Sequence, residues 1–231
     1  MSEKITRREA IRQMVVAGTA VAVAGSVLES CGSSSSTKKV HANPVMEAPE
    51  GTSVVKRSWS FGDISLLGLG CMRIPKVNSD QRNPPIDQDQ VNDMVDYALA
   101  HGINYFDTAP AYGQSEKVMG IALSRYPRES YKLATKMSNM NYAPGTKVTV
   151  ESAEQMMKTS LENLKTDYFD YYLLHNISDE ESFKVRFIES GVLDYLIDLR
   201  QKGVIKHLGF SYHGNDEFFG RLVDQYYKWE F

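Results

Sequence analysis

Apolar residues recur along this chain with two alternating periods. Val91, Met94, Val95, Ala98 and Leu99 repeat at helical spacing, and Gly102 supplies the stop. Residues 103–107 then read as a short buried strand. Val118, Met119, Ala122 and Leu123 mark a helix over 115–125, with Pro127 just beyond, and 131–135 reads as the next strand. Ser152 with Gln155 three residues on predicts a capping-box start, followed by Met157, Leu161 and Leu164 on one helix face. Residues 169–174 are almost wholly apolar, as central parallel strands are. Ile188, Val192, Tyr195, Leu196 and Leu199 predict another helix, stopped at Gly203, and 204–210 a strand. Residues 217–227 follow as a helix, and 229–231 read as a strand beginning. Ahead of this series, 54–59 and 64–69 are β-prone runs around Phe61-Gly62-Asp63, the pattern of a hairpin.

Repeated β-α alternation implies a parallel sheet with helices packed outside it, either a barrel or a doubly wound sheet. The doubly wound dinucleotide fold loses its main support at the first strand. There Gly68-Leu69-Gly70 is followed by Cys71-Met72-Arg73, without the third glycine of that fingerprint.

The first fifty residues follow neither period. Lys4, Arg7, Arg8 and Arg12 precede an apolar run over 14–28, too short to span a bilayer comfortably and suited to the apolar region of a signal peptide. Residues 6–12, TRREAIR, resemble the twin-arginine export motif, with Ala10 where that motif usually has Phe. Residues 28–32, LESCG, resemble a bacterial lipobox in which Cys31 is lipidated; an ordinary cleaved leader with an incidental cysteine is the alternative. Residues 33–51 carry a serine run, Pro44 and Pro49, and read as a tether. The expected organisation is therefore a signal peptide over 1–31, a tether over 32–52 and a folded domain over 53–231. The expected location is the bacterial cell envelope, in the periplasm or anchored by lipid at Cys31. Membrane contact is expected only through that leader or anchor.

Composition narrows the function classes. The 231 residues are 42% hydrophobic and 24% charged, which is globular rather than disordered. With 26 Lys and Arg against 29 Asp and Glu, and no run of like charge, phosphate neutralisation of a nucleic acid is not expected. Two cysteines, Cys31 and Cys71, build neither a disulfide framework nor a four-thiolate metal or iron–sulfur site.

The ionisable residues fall at one place in each unit. Asp107 closes the strand over 103–106, and Tyr112 lies in the loop that follows. Lys136 closes the strand over 131–135, His175 the strand over 169–174, and Ser211 and His213 follow the strand ending at Phe210. Successive strands thus deliver polar groups at their carboxyl ends, where a (β/α)8 barrel assembles its active site. A strand-end Asp alone reads as a turn former, and a lone Lys as a solvated one. The set is what suits proton delivery to a carbonyl: Tyr112 as general acid, Lys136 stabilising the phenolate, Asp107 holding Lys136, and His175 orienting the substrate oxygen.

Four segments carry a resemblance to the aldo/keto reductase family: GINYFDTAPAYGQSEKVMG over 102–120, LATK over 133–136, SLENLKTDYFDYYLLH over 160–175 and GVIKHLGFS over 203–211. The resemblance implies an α/β fold, a (β/α)8 TIM barrel of aldo/keto reductase type preceded by a β-hairpin. It also implies reduction of an aldehyde or ketone by hydride from NADP(H), with NAD(H) as the other donor. Asp107, Tyr112, Lys136 and His175 match the family's catalytic residues, and Ser211, Met72 and Arg73 fall where the cofactor is held. Two departures stand out. Tyr212 occupies the place where the family usually has Asn. The segments GCMRIP over 70–75 and GFSYH over 209–213 are similar to a bacterial subgroup that often has a ferredoxin-like carboxyl-terminal extension, although this chain has no cysteine cluster.

Counting from Leu66 gives five βα units and the start of a sixth. The expectation is a barrel truncated after about five units, with about 180 folded residues against the 200 or more that eight units need. Such a fragment, without the later loops that bind the cofactor's pyrophosphate in this family, is expected to be inactive. Two other readings have different chemistry: a non-catalytic module that binds cofactor or a partner, and an aldolase using Lys136 as a Schiff-base nucleophile.

Overall fold

The computed structural model describes residues 49–59, 62–78, 82–139 and 148–231. The anticipated leader, most of the tether and Cys31 lie outside the described residues. Two short strands, β1 (Lys56–Trp59) and β2 (Gly62–Ser65), pair antiparallel with Lys56 opposite Ser65. The expected second β run over 64–69 is divided. Ser65 is buried, donates its N–H to Asn104 Oδ1 at 2.7 Å and its hydroxyl to the Leu67 carbonyl at 2.7 Å. That turn leaves Leu66 and Leu67 outside and starts a separate strand, β3 (Leu69–Gly70).

β3 opens a parallel five-stranded sheet with β4 (Tyr105–Asp107), β5 (Lys132–Met137), β6 (Phe169–Ile177) and β7 (Ile205–Tyr212), neighbouring in chain order. Among the described residues the sheet is open, with β3 and β7 at its edges. The strand expected at 229–231 does not form as such. Those residues lie beside β7 through a single backbone bond, from the Glu230 N–H to the Leu208 carbonyl at 3.3 Å.

Helices cover one face. α1 (Gln88–Ala100) starts at Asp87, whose carboxylate accepts the Gln90 N–H, and turns at Gly102, whose φ of +87° an L side chain rarely adopts. α2 (Ser115–Leu123) follows the 3₁₀ turn Pro110–Tyr112. α3 (Val150–Leu164) starts earlier than its pattern predicts. Thr149 is the cap, and the reciprocal bonds of the capping box join Thr149 to Ser152 rather than Ser152 to Gln155. The helix expected around Ile188 is broken. α4 (Glu180–Phe183) runs into a π-helical turn, Lys184–Glu189, and α5 (Val192–Gln201) begins only after Gly191 in a left-handed conformation. The last helix, α6 (Asp216–Arg221), is capped by Asn215 and continues as a second π turn, Leu222–Tyr226. No helix among the described residues is long and apolar enough to cross a membrane.

The period-two rule divides the sheet. Phe106, Leu133, Met137, Tyr172, Leu174 and Leu208 face the helices and share one buried cluster with Val91, Val95, Met119, Leu123, Met157 and Leu196. Thr135 also points that way and donates to buried Glu116 of α2 at 2.7 Å, where burial raises the carboxyl's pKa. The opposite parity forms a smaller cluster of Ala134, Tyr171 and Leu173 with Tyr105 packed against it. One step further along these strands the same parity brings Asp107, Lys136 and His175 to the carboxyl edge.

α2 and α3 approach so closely at Gly120 that an added Cβ would lie 1.9 Å from the Asn163 carbonyl oxygen, backbone that cannot swing aside. Gly120→Ala should therefore destabilise the domain by about 2–3 kcal/mol, the usual cost of overpacking. A urea unfolding midpoint that falls accordingly, with the slope unchanged, is the expected result; an unchanged midpoint would refute the contact.

Candidate active site

Register decides which side chains meet. β4 and β5 pair with Asp107 opposite Ala134, and β5 and β6 pair with Lys136 opposite Leu173. Lys136 is therefore one period-two step beyond Asp107's partner, and its ammonium reaches back across β4. Lys136 Nζ lies 2.5 Å from Asp107 Oδ1 and 2.8 Å from the Thr108 carbonyl oxygen. Only 4% of Lys136 is exposed, so its charge is held by these two oxygens rather than by water. Asp107 is anchored in turn: its carbonyl accepts the Cys71 N–H at 2.8 Å, joining it to the segment after β3. The Cys71 thiol is buried, and burial, with Asp107 nearby, pushes its pKa up to about 12, so it is neither a thiolate nor a nucleophile here.

Tyr112 ends the 3₁₀ turn that begins at Pro110. Its ring lies 4.9 Å from Lys136 Nζ and meets the His175 imidazole edge to face, with centroids 5.6 Å apart. Three strands and one loop thus bring the four residues singled out in the sequence to one rim. His175 does not close its strand as expected, because β6 runs on to Ile177, where it bulges against β7.

A cleft of about 550 Å³ opens beside Tyr112, lined among others by Met72, Ile74, Pro85, Ile86, Gly113 and Gln114. Met72 is 64% exposed and reaches this cleft, whereas Arg73 is exposed and does not line it. Ser211, near the end of β7, accepts the Asn176 N–H at 2.8 Å, which leaves its hydroxyl proton available to donate. Tyr212, in the place where Asn was expected by resemblance, turns its hydroxyl to the Asn215 carbonyl at 2.6 Å and stacks its ring edge against Phe219.

Three groups at this rim escape a reading of the sequence. The Thr108 carbonyl is backbone and leaves no signal in residue type. Ser138 lies two residues past Lys136 and so on the same side of β5; its hydroxyl is 2.6 Å from His175 Nδ1. The i, i+2 spacing was available as a clue. Arg186 had none, because it sits on a π turn that no apolar spacing marks, ahead of the helix expected from Ile188. Its buried guanidinium donates to the His175 carbonyl at 2.5 Å, the Asn176 carbonyl at 3.0 Å and Asn139 Oδ1 at 3.1 and 3.2 Å. It clamps the ends of β5 and β6 together. Burial, then the Lys136, Arg186 and His213 charges, lower the His175 pKa to about 4, so the imidazole is neutral at physiological pH. Chemically the rim holds a hydroxyl acid, a fixed cation beside it and a neutral hydrogen-bond donor, a set that protonates an oxygen as charge develops on it.

Comparison with known proteins agrees with this geometry. Residues 66–218 match the model of the aldo/keto reductase family. The chain is 35% identical to D-arabinose 1-dehydrogenase of Saccharomyces cerevisiae over 52% of its length and 36% of that protein's. It is 30% identical to NADH-specific methylglyoxal reductase of Escherichia coli over 63% of its length and 48% of that protein's. Among solved structures it resembles aldo-keto reductase AKR11C1 of Bacillus halodurans in its holo form. That likeness has a TM-score of 0.56 and 29% identity, and it covers 73% of this chain and 54% of that one. The chain thus spans about half the length, or less, of the curated relatives named here.

His175 gives a pH prediction. Its pKa falls from 6.5 in the unfolded chain to about 4 when folded, so below pH 6.5 the unfolded state binds a proton that the folded state refuses. Stability from this group is full above pH 6.5 and is lost as pH falls towards 4, by up to about 3 kcal/mol. Relative to His175→Asn, the native chain should lose that increment across the window in urea melts. Parallel pH profiles for the two proteins would contradict it.

Proposed function

Because the chain belongs to the aldo/keto reductase family, we propose that the protein is an oxidoreductase that reduces an aldehyde or ketone with a nicotinamide cofactor. The observation that supports this most directly is the buried Lys136–Asp107 pair set beside the Tyr112 ring, with neutral His175 against the same ring.

In this reading the substrate carbonyl enters the cleft beside Tyr112. His175 donates a hydrogen bond to its oxygen and sets its position. Tyr112 delivers the proton as negative charge grows on that oxygen, and the Lys136 ammonium stabilises the phenolate left behind. Asp107 and the Thr108 carbonyl keep that ammonium charged and fixed, so little reorganisation is needed during the reaction. Neutral His175 adds no competing acid at pH 7.

The residues present fit a nicotinamide group. Ser211 has a hydroxyl proton to spare for a carboxamide oxygen, and the exposed side chain of Met72 offers an apolar surface on the same rim. Arg73, exposed on the same segment, is a candidate for the cofactor's phosphate. When bound, the cofactor supplies the hydride. NADP(H) is our preferred donor, with NAD(H) the alternative that the name of the E. coli relative supports. That name also makes a small aldehyde a reasonable first substrate.

We further propose export to the bacterial envelope, on the strength of Arg7, Arg8 and the apolar run over 14–28. The folded domain then begins near residue 53, after a cleaved or lipid-anchored leader.

Activity is tested by carbonyl-dependent oxidation of NADPH or NADH in a version completed to eight βα units; the five-unit chain alone we propose to turn over little or nothing. Tyr112→Phe should lower kcat by at least about 100-fold, the scale of general acid catalysis, while leaving cofactor affinity nearly unchanged. Lys136→Met should produce a loss of similar order. Turnover in Tyr112→Phe at the native rate would reject the assignment.

A further inference from the structure

We infer that Ser138 is a positioning residue for His175, fixing the neutral imidazole as the tautomer that carries its proton on Nε2. The inference rests on the carbonyl-reduction reading for its purpose, since only that tautomer offers an N–H to a substrate oxygen while its other nitrogen faces Ser138. The assignment of the proton itself rests on geometry alone.

Ser138 Oγ and His175 Nδ1 are 2.6 Å apart, and both residues are buried, 8% and 7% exposed. Either atom could donate, and the two cases leave different groups unsatisfied. If Nδ1–H donated to Ser138, the serine's own hydroxyl proton would be left without an acceptor, because Ser138 Oγ makes no other hydrogen bond among the described residues. An orphaned buried donor of this kind loses its hydration with nothing in return. If Ser138 donates to Nδ1, its proton is satisfied and the imidazole proton lies on Nε2, on the far side of the ring. Ser138 has one hydroxyl proton and Nδ1 one lone pair, so this arrangement satisfies both at once.

The surrounding braces hold the pair in place without competing for it. The Arg186 guanidinium bonds the His175 carbonyl, not its ring, and bonds the side chain of Asn139, the residue after Ser138. Asn139 Nδ2 returns a bond to the Arg186 carbonyl at 3.1 Å. The backbone on both sides of the Ser138–His175 bond is thereby tied to one buried cation on the π turn. Serine at this position is short enough to reach Nδ1 from β5 while Lys136, on the same side of the strand, reaches Asp107. The strand thus presents two consecutive inward side chains to two partners, one electrostatic and one that selects a tautomer.

The test is nitrogen-15 NMR of the chain labelled at histidine, near pH 7, with the His175 signals assigned by their loss in His175→Asn. Nδ1 should resonate as an unprotonated acceptor and Nε2 as a protonated nitrogen. Ser138→Ala should convert this single tautomer to a mixture, and Ser138→Thr should restore it. In the same variants of a version completed to eight βα units, kcat/KM for the carbonyl should fall roughly tenfold in Ser138→Ala and recover in Ser138→Thr, with KM for the cofactor unmoved. A proton on Nδ1 in the native chain would overturn the inference, as would one unchanged tautomer in Ser138→Ala. The expected spectra in a chain that never reduces a carbonyl would uphold the tautomer assignment and sink the reductase reading alone.

Discussion

The candidate site depends on one buried charge. An ammonium removed from water loses its hydration, and only well-placed oxygens make that tolerable. Lys136 has two, the Asp107 carboxylate and the Thr108 carbonyl, and both belong to β4 or its first loop residue. The pair therefore fastens neighbouring strands at the edge where the chemistry lies. It also fixes the orientation of the loop, since Thr108 leads through Pro110 into the turn that carries Tyr112. Removing the Asp107 carboxylate would leave an uncompensated ammonium in a dry place, so geometry and electrostatics at this rim stand or fall together.

Around that charge the sheet arranges its inward residues in layers. Tyr105, Ala134, Tyr171 and Leu173 form an apolar floor. Asp107, Lys136 and His175 follow at the carboxyl edge, each at the parity of the floor residues on its own strand, and Ser138 continues that parity just past the end of β5. The floor excludes water from below, which strengthens the interactions above it. The Arg186 clamp plays the corresponding part at the outer end of β5 and β6, where it fixes two carbonyls and lends its positive charge to keeping His175 neutral. A fixed cation and a neutral imidazole both lie against the Tyr112 ring.

Much of this was legible before any coordinates. The alternation of helical and strand periods specified a parallel sheet, and the position of Asp107, Lys136 and His175 near strand ends specified a shared rim. What remained hidden has physical causes. Helical spacing through Ile188, Val192 and Leu196 predicts one continuous helix, but the π turn and Gly191 break it, and Arg186 lies buried on that π turn, ahead of the predicted helix. The Thr149 cap was missed because Ser152 and Gln155 satisfy the same residue rule three positions later. Thr108 acts through its backbone, which residue type does not encode. Ser138 carries no signal beyond its i, i+2 spacing from Lys136; its partner, 37 residues away, becomes visible only through the β5–β6 register.

The central claim is that this rim delivers a proton to a carbonyl oxygen while hydride arrives at the carbonyl carbon. The most direct measurement follows the label. The protein, in a version completed to eight βα units, is incubated with an aldehyde and with NADPH or NADH deuterated at the transferring position, and the product is examined by mass spectrometry. The account predicts an alcohol carrying one deuterium on the former carbonyl carbon and no covalent change to the protein. An unlabelled product, or a borohydride-stable adduct of the aldehyde on Lys136, would contradict it.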